Sequence, residues 1–183
     1  MKTLYVVVAL VLTTALSSAS HVERIHATLT GFQEVPAVST PGHGEFEAQI
    51  SSDDSTIQYQ LTFSGLVGTV QQSHIHIAQP AVNGSIVIWL CQTTTTPAPA
   101  SVAGLTPFCP QSGTVSGTIT AANVIAASTT SQLITAGQLD AVIAAIRGGV
   151  AYANVHSTPL NPGGEIRGRI RAEREHDKRG RDH

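Results

Sequence analysis

Short stretches in which apolar and polar residues alternate recur along the chain, and each has the pattern of a strand with one buried face. The clearest two are residues 44–51 and 57–63, which flank the turn residues Asp53-Asp54 and predict a hairpin. The predicted strands cover residues 24–30, 44–51, 57–63, 70–78, 86–90, 113–120, 150–156 and 165–170, of which residues 86–90 are a continuous apolar run and not an alternating one.

One stretch changes from the strand period to the helical period. Its apolar residues recur three and four positions apart, at Leu139, Val142, Ile143 and Ile146. Thr135 with Gln138 three residues later predicts a capping box at the helix start, and Gly148-Gly149 predicts its end. Many short strands with a single helix indicate an all-β, antiparallel sandwich or barrel with one short helix.

The two ends of the chain have a different character from this middle part. Residues 1–19 combine a positive start, an apolar run from Leu4 to Leu16 and small residues at Ser17-Ser18-Ala19, which predicts a secretory signal peptide. The alternative is an uncleaved anchor, but the apolar run is shorter than the roughly 20 residues that a membrane span needs. We therefore expect a secreted, periplasmic or extracellular protein with no transmembrane segment after cleavage. Residues 172–183 predict a charged, disordered tail.

Charge and cysteine content narrow the possible functions of the protein further. The net charge of −2 and the 4% aromatic content disfavour nucleic-acid binding, which needs basic surface and stacking platforms. Cys91 and Cys109 are an even pair in an exported chain, which predicts a disulfide bond worth about 3 kcal/mol for a loop of this size. Two thiolate metal ligands are the alternative, disfavoured by the wide spacing and the oxidising compartment.

The candidate chemistry lies in the sequence His74-Ile75-His76. On a strand these two imidazoles point to one face, and a third ligand must come from a neighbouring strand, where Asn154 and His156 repeat the alternation. Three histidines suit one Cu(II) or Zn(II) ion, and the mature chain has no Met to favour Cu(I). The alternative is a structural set of neutral, hydrogen-bonded histidines. His26 and His43 are spare candidates.

Two charged residues on the last predicted strand, Glu165 and Arg167, share a face at positions i and i+2. Glu34 could approach them from the first connection. A carboxylate and a guanidinium form a strong bidentate pair, so we expect a structural clamp that holds a loop to this strand.

Four motifs in order carry a resemblance to a known family: Ala27-Thr28-Leu29-Thr30-Gly31-Phe32-Gln33-Glu34-Val35-Pro36, His74-Ile75-His76, Tyr152-Ala153-Asn154-Val155-His156-Ser157 and Asn161-Pro162-Gly163-Gly164-Glu165-Ile166-Arg167-Gly168. In these motifs residues 25–171 resemble the CHRD domain, the module repeated in chordin and found singly in exported microbial proteins. The resemblance implies an immunoglobulin-like or superoxide-dismutase-like sandwich of about eight strands.

The resemblance implies less about activity. It favours a non-catalytic extracellular binding or structural module, with an extracellular protein or a second copy as partner. A superoxide-dismutase-like copper redox enzyme is the alternative that the fold analogy suggests, although a shared fold does not establish a shared function. The cysteine-rich growth-factor-binding modules of chordin are missing from this sequence, so that role is not transferred.

Overall fold

The computed structural model describes residues 22–173, and the predicted signal peptide and residues 174–183 of the predicted tail lie outside them. The described residues form nine strands and one α-helix. The strands are β1 (Glu23–Thr30), β2 (His43–Ile50), β3 (Ile57–Ser64), β4 (Thr69–Ile77), β5 (Ser85–Cys91), β6 (Gly113–Ile119), β7 (Ala151–Thr158), β8 (Asn161–Arg169) and β9 (Arg171–Ala172). The helix α1 (Leu139–Arg147) lies between β6 and β7.

The strands form one continuous sheet that folds over on itself into a sandwich. Its order is β5-β4-β7-β8-β1-β2-β3-β6, with β9 added to β1, and the strands pair antiparallel throughout. The two halves are joined at a corner where Thr30 pairs with Arg167. The Tyr59 hydroxyl donates to the Leu90 carbonyl at 2.7 Å, which ties β3 to β5 across the two layers. The predicted all-β sandwich with one helix is confirmed.

The predicted hairpin of residues 44–51 and 57–63 is also confirmed. It is formed by β2 and β3, in which Phe46 pairs with Leu61 and Ala48 with Tyr59. Buried and exposed residues alternate strictly along both strands. One face of this layer therefore lines the core, and its other face, rich in Glu, Gln and Thr, meets solvent.

The second layer is buried on both faces. In β4 and β7, Ile75 and Val155 point into the core with no exposure, while the polar residues between them are also buried. Connecting segments cover this outer face, and one of them contributes Ala98 and Val102, which form a small apolar cluster with Trp89 of β5. The predicted histidines lie on this polar face, which the loops shield from solvent.

The cysteine pair holds one of these covering segments. Cys91 at the end of β5 is bonded to Cys109 with an S–S distance of 2.05 Å, so the predicted disulfide is present. The bond closes the loop that contains Ala98 and Val102, both packed against Trp89. The disulfide thus secures a lid over one end of the polar face.

Two predicted boundaries differ from the structure. The helix begins at Leu139, and Thr135 is not its N-cap. The Gln138 side chain does accept from the Thr135 backbone N–H at 2.7 Å, but this closes a turn before the helix. At the other end, Ala172 belongs to β9 rather than to the tail, because Arg171 and Ala172 pair with the free edge of β1. Within residues 22–173 no helix is long and apolar enough to cross a membrane.

Candidate metal centre

Pairing between β4 and β7 brings the polar side chains together on the outer face of the second layer. In this antiparallel register His74 lies opposite Asn154, and His76 lies opposite Tyr152. Alternate residues of a strand share a face, so His156 joins Asn154 and Tyr152 on the same side. The hydrogen-bonded ladder therefore holds all five side chains on one rigid surface.

The three histidines of the prediction form one cluster. One ring nitrogen of each lies within 4.8 Å of the other two, and His74 Nδ1 is 3.3 Å from His156 Nε2. His74 is fully buried, and His76 and His156 are 7% and 6% exposed. The spare candidates lie apart from this cluster, since His26 is on the exposed face of β1 and His43 bonds to Ser64 and the Pro41 carbonyl.

Backbone carbonyls determine the tautomers of two of these rings. His76 Nδ1 is 2.9 Å from the Gly84 oxygen, and His156 Nδ1 is 2.8 Å from the Pro162 oxygen. A carbonyl oxygen only accepts, so each Nδ1 carries the proton and each Nε2 keeps a free lone pair. Metal-binding histidines use this arrangement, in which a carbonyl orients the ring and raises its basicity as a ligand.

Burial also keeps the rings neutral. Loss of hydration, reinforced by the other two histidines, holds the pKa of His74 well below its usual value. Burial lowers the pKa of His76 to about 4, although the Gly84 carbonyl and the Asn154 side chain oppose the shift. The pKa of His156 is lowered by burial too, against the effect of the Pro162 carbonyl. At neutral pH all three imidazoles can therefore act as ligands.

Two aromatic residues that sequence reasoning missed form the walls of the cluster. Trp89 packs edge-on against His74 with 4.3 Å between ring centroids. Tyr152 stacks in parallel on His76 at 4.7 Å, and the Arg167 guanidinium carbon lies 3.4 Å from the Tyr152 ring centroid. Tyr152 could have been found from its i, i+2 spacing to Asn154, whereas Trp89 requires the register between β4 and β5.

Several buried polar atoms here have no hydrogen-bond partner. In the described part of the chain, the buried side-chain atoms left unpaired are Glu34 Oε1, His74 Nε2, His76 Nε2, Trp89 Nε1 and Asn154 Oδ1. Buried polar atoms are nearly always paired, so this concentration at one place points to a missing binding partner. Free imidazole nitrogens fit Zn(II) or Cu(II) better than any hard, oxygen-seeking cation.

The expected direct pair between Glu165 and Arg167 does not form, although each residue does hold loops to this strand. Among residues 22–173 the structure contains no ion pair or hydrogen bond between these two side chains. Arg167 instead donates to the Val82 carbonyl at 2.8 Å and to Asn83 Oδ1 at 3.1 Å, which fastens the loop after β4. Side chains that share a face of a strand need not touch when each finds nearer partners in separate loops.

Glu165 fastens a different set of loops. Its carboxylate accepts hydrogen bonds from Thr40 Oγ1 at 2.5 Å, the Val67 N–H at 2.7 Å, the Gly68 N–H at 3.4 Å and the Ser157 hydroxyl. Burial alone would raise the pKa of this carboxyl, but the four hydrogen bonds outweigh it and hold the pKa below its usual value. Glu165 is therefore an ionised anchor for two connecting segments.

Glu34, the third residue of the expected clamp, is buried at the edge of the cluster. It packs closely against Gly164, where an added Cβ would come within 2.4 Å of Glu34 Oε1. Burial raises the pKa of Glu34 to about 7, and the positive charge of Arg167 limits the rise. The positive charge of Arg167 therefore acts on Glu34, whereas Glu34 Oε1 makes no hydrogen bond.

Comparison with known proteins gives one match. The family model described as the CHRD domain matches residues 25–170, which is most of the chain. Neither a search of curated proteins nor a search of solved structures found a match. The matched range contains the whole histidine cluster and the loops that cover it.

Proposed function

We propose that this chain, which belongs to the CHRD domain family, is an exported, non-catalytic binding or structural module that holds one Cu(II) or Zn(II) ion between His74, His76 and His156. The observation that carries the proposal is the cluster of three ring nitrogens within 4.8 Å of one another on two paired strands. Backbone carbonyls hold the Nδ1–H groups of His76 and His156, which leaves the Nε2 lone pairs of both rings to the cluster and supports the same assignment.

The spacing of the nitrogens supports a mononuclear centre. Two nitrogens bound to one Zn(II) at tetrahedral angles lie about 3.3 Å apart, given Zn–N distances of about 2.0–2.1 Å. His74 Nδ1 and His156 Nε2 are already separated by 3.3 Å. The third nitrogen, on His76, lies within 4.8 Å of both.

Burial favours a binding role over the superoxide-dismutase-like alternative. A redox copper enzyme needs an open coordination position that a small substrate can reach from solvent. The three rings are at most 7% exposed, and Trp89 and Tyr152 close two sides of the cluster. An ion held here would rigidify the second layer and its loops, as a structural site does.

Other features support an exported protein with an extracellular partner. A disulfide bond persists in oxidising surroundings, which agrees with an exported protein, as does the signal-like start of the sequence. The function of the module then lies in its surface, presented to an extracellular protein or to a second copy of the chain.

Tryptophan fluorescence tests the metal site directly, because Trp89 is the single tryptophan of the chain and packs against His74. Cu(II) quenches a nearby indole by short-range electron and energy transfer. We expect Cu(II) to quench the emission until one equivalent is bound, and prior addition of Zn(II) to weaken the quenching.

Two double variants make this experiment selective. The variant His74→Ala/His76→Ala should lose saturable quenching, whereas His26→Ala/His43→Ala, which removes two histidines outside the cluster, should behave as the wild type. Equal losses in both variants, or quenching that never saturates in the wild type, would contradict the proposed metal site.

A further inference from the structure

The polar cluster contains more hydrogen-bond acceptors than donors. His76 and His156 each give their single ring proton to a carbonyl oxygen, so both Nε2 atoms are lone-pair sites. His74 Nδ1 faces one of these lone pairs, His156 Nε2, at 3.3 Å and must supply the proton of that contact. In the metal-free protein His74 Nε2 is then also a lone-pair site without a donor, and an ion bound at His74 Nδ1 requires the other tautomer, with the proton on Nε2.

Asn154 adds a fourth acceptor to the same place. Its Oδ1 is buried and unpaired, and the residue as a whole is only 2% exposed. Asn154 lies opposite His74 in the β4–β7 register and two positions before His156, so its side chain points to the face that carries the histidines.

One divalent cation can satisfy all of these lone pairs at once, whereas one water molecule donates to two of them and one proton to a single one. The Trp89 Nε1–H is the one unpaired donor among these buried atoms, and it reaches none of the lone pairs within bonding distance. Each buried acceptor left unpaired destabilises the fold, because it has lost its hydration without gaining a partner. Binding one divalent ion would satisfy nitrogen and oxygen lone pairs together.

We infer that the carboxamide oxygen of Asn154 is the fourth ligand of the ion, which completes a shell of three imidazole nitrogens and one oxygen. This inference rests on the metal site proposed above and goes beyond it by assigning the remaining position to a protein atom instead of water or substrate. Four protein ligands make a closed, tetrahedral site of the structural kind. An oxygen donor also favours Zn(II) over Cu(I).

Zinc affinity of three variants tests the assignment, measured by competition with a chromophoric chelator. Asn154→Leu removes the oxygen at similar size and should weaken Zn(II) binding about tenfold or more. Asn154→Asp keeps an oxygen and adds a negative charge, and should bind Zn(II) more tightly than the wild type. The matched control is Gln72→Leu, an amide on β4 opposite His156, which should keep the wild-type affinity.

A measurement on the unaltered protein guards against variants that fail to fold. The side-chain carbonyl carbon of Asn154 should change its 13C chemical shift on addition of one equivalent of Zn(II), while that of Gln72 should not. Wild-type affinity in Asn154→Leu, or an unmoved Asn154 carbonyl signal in a zinc-bound protein, overturns the fourth ligand and leaves the three-histidine site standing. A wild type that binds no Zn(II) or Cu(II) overturns both.

Discussion

Two buried carboxylates show how strongly the surroundings decide the state of a single residue. Glu165 accepts four hydrogen bonds, and its pKa is held below its usual value despite burial. Glu34 is also buried, but its Oε1 has no donor, and burial raises its pKa to about 7. Glu165 is therefore stabilised as an anion. Glu34, in contrast, keeps its proton up to a higher pH in the folded protein than in the unfolded chain.

The raised pKa of Glu34 predicts a pH-dependent loss of stability. A group whose folded pKa lies above its unfolded value of 4.5 contributes fully below that pH, and the contribution is lost as pH rises through about 7. Glu34→Gln removes this titration. As the pH rises from about 5 to about 8, the free energy of unfolding of this variant should increase relative to that of the wild type by on the order of 1–3 kcal/mol.

Denaturant unfolding at several pH values measures this difference. Glu47→Gln, which removes an exposed carboxylate of β2, is the matched control for the loss of one carboxylate. A difference between Glu34→Gln and the wild type that does not change with pH would show that Glu34 does not titrate with a raised pKa.

At the scale of elements, the β7–β8 hairpin connects loop geometry to the histidine cluster. Its tip carries the Pro162 carbonyl that orients His156, and a few residues later Gly164 lies against Glu34. Gly164 has φ +128°, a conformation that side chains rarely adopt. The segment Asn161-Pro162-Gly163-Gly164 therefore orients His156 in addition to forming a turn.

Substitution of the two neighbouring glycines tests whether the close packing of this hairpin on Glu34 requires a glycine at position 164. Gly164→Ala would place a Cβ 2.4 Å from Glu34 Oε1 at a strained φ, so we expect a loss of about 1–3 kcal/mol in unfolding free energy. Gly163→Ala is the matched control, because a Cβ there meets nothing within 4 Å, and it should stay within about 0.5 kcal/mol of wild type. Thermal melts that fail to distinguish the two variants would disprove the close packing of this hairpin on Glu34.

At the scale of the whole molecule, the two layers of the sandwich have different tasks. The layer of β2 and β3 alternates strictly and leaves its polar face open. The layer of β4 and β7 is buried on both faces, and loops fastened by Arg167, Glu165 and the disulfide cover its polar side. An ion bound by the three histidines would therefore join β4 to β7 beneath these loops.

Metal binding should then stabilise the entire fold. At a free Zn(II) concentration of a hundred times the dissociation constant, mass action predicts about 2.7 kcal/mol of added stability. We expect a higher melting temperature with Zn(II) than with EDTA, and no such difference in His74→Ala/His76→Ala. Light scattering of the same samples tests self-association. Equal melting temperatures with Zn(II) and EDTA in the wild type would contradict a metal site within the fold.

Much of the architecture could be predicted from local pattern. Period-2 alternation located the hairpin of β2 and β3 and the other main strands, because each strand must bury one face. The pairing of Arg171 and Ala172 with β1 was missed, since a two-residue strand has no period and depends on a free edge far away in the chain. The helix start was misplaced because Thr135 and Gln138 form the same contact in a turn.

The sequence by itself determined which side chains share a face: the i, i+2 spacing sends His74 and His76 to one side and aligns Asn154 with His156, whatever the rest of the fold does. Only the tertiary structure decided what those faces meet. Register between β4 and β7 brought the histidines within 4.8 Å of one another, and loop carbonyls set two of their tautomers. It also separated Glu165 from Arg167, because hydrogen bonds form with the nearest partners in space, which strand spacing does not specify.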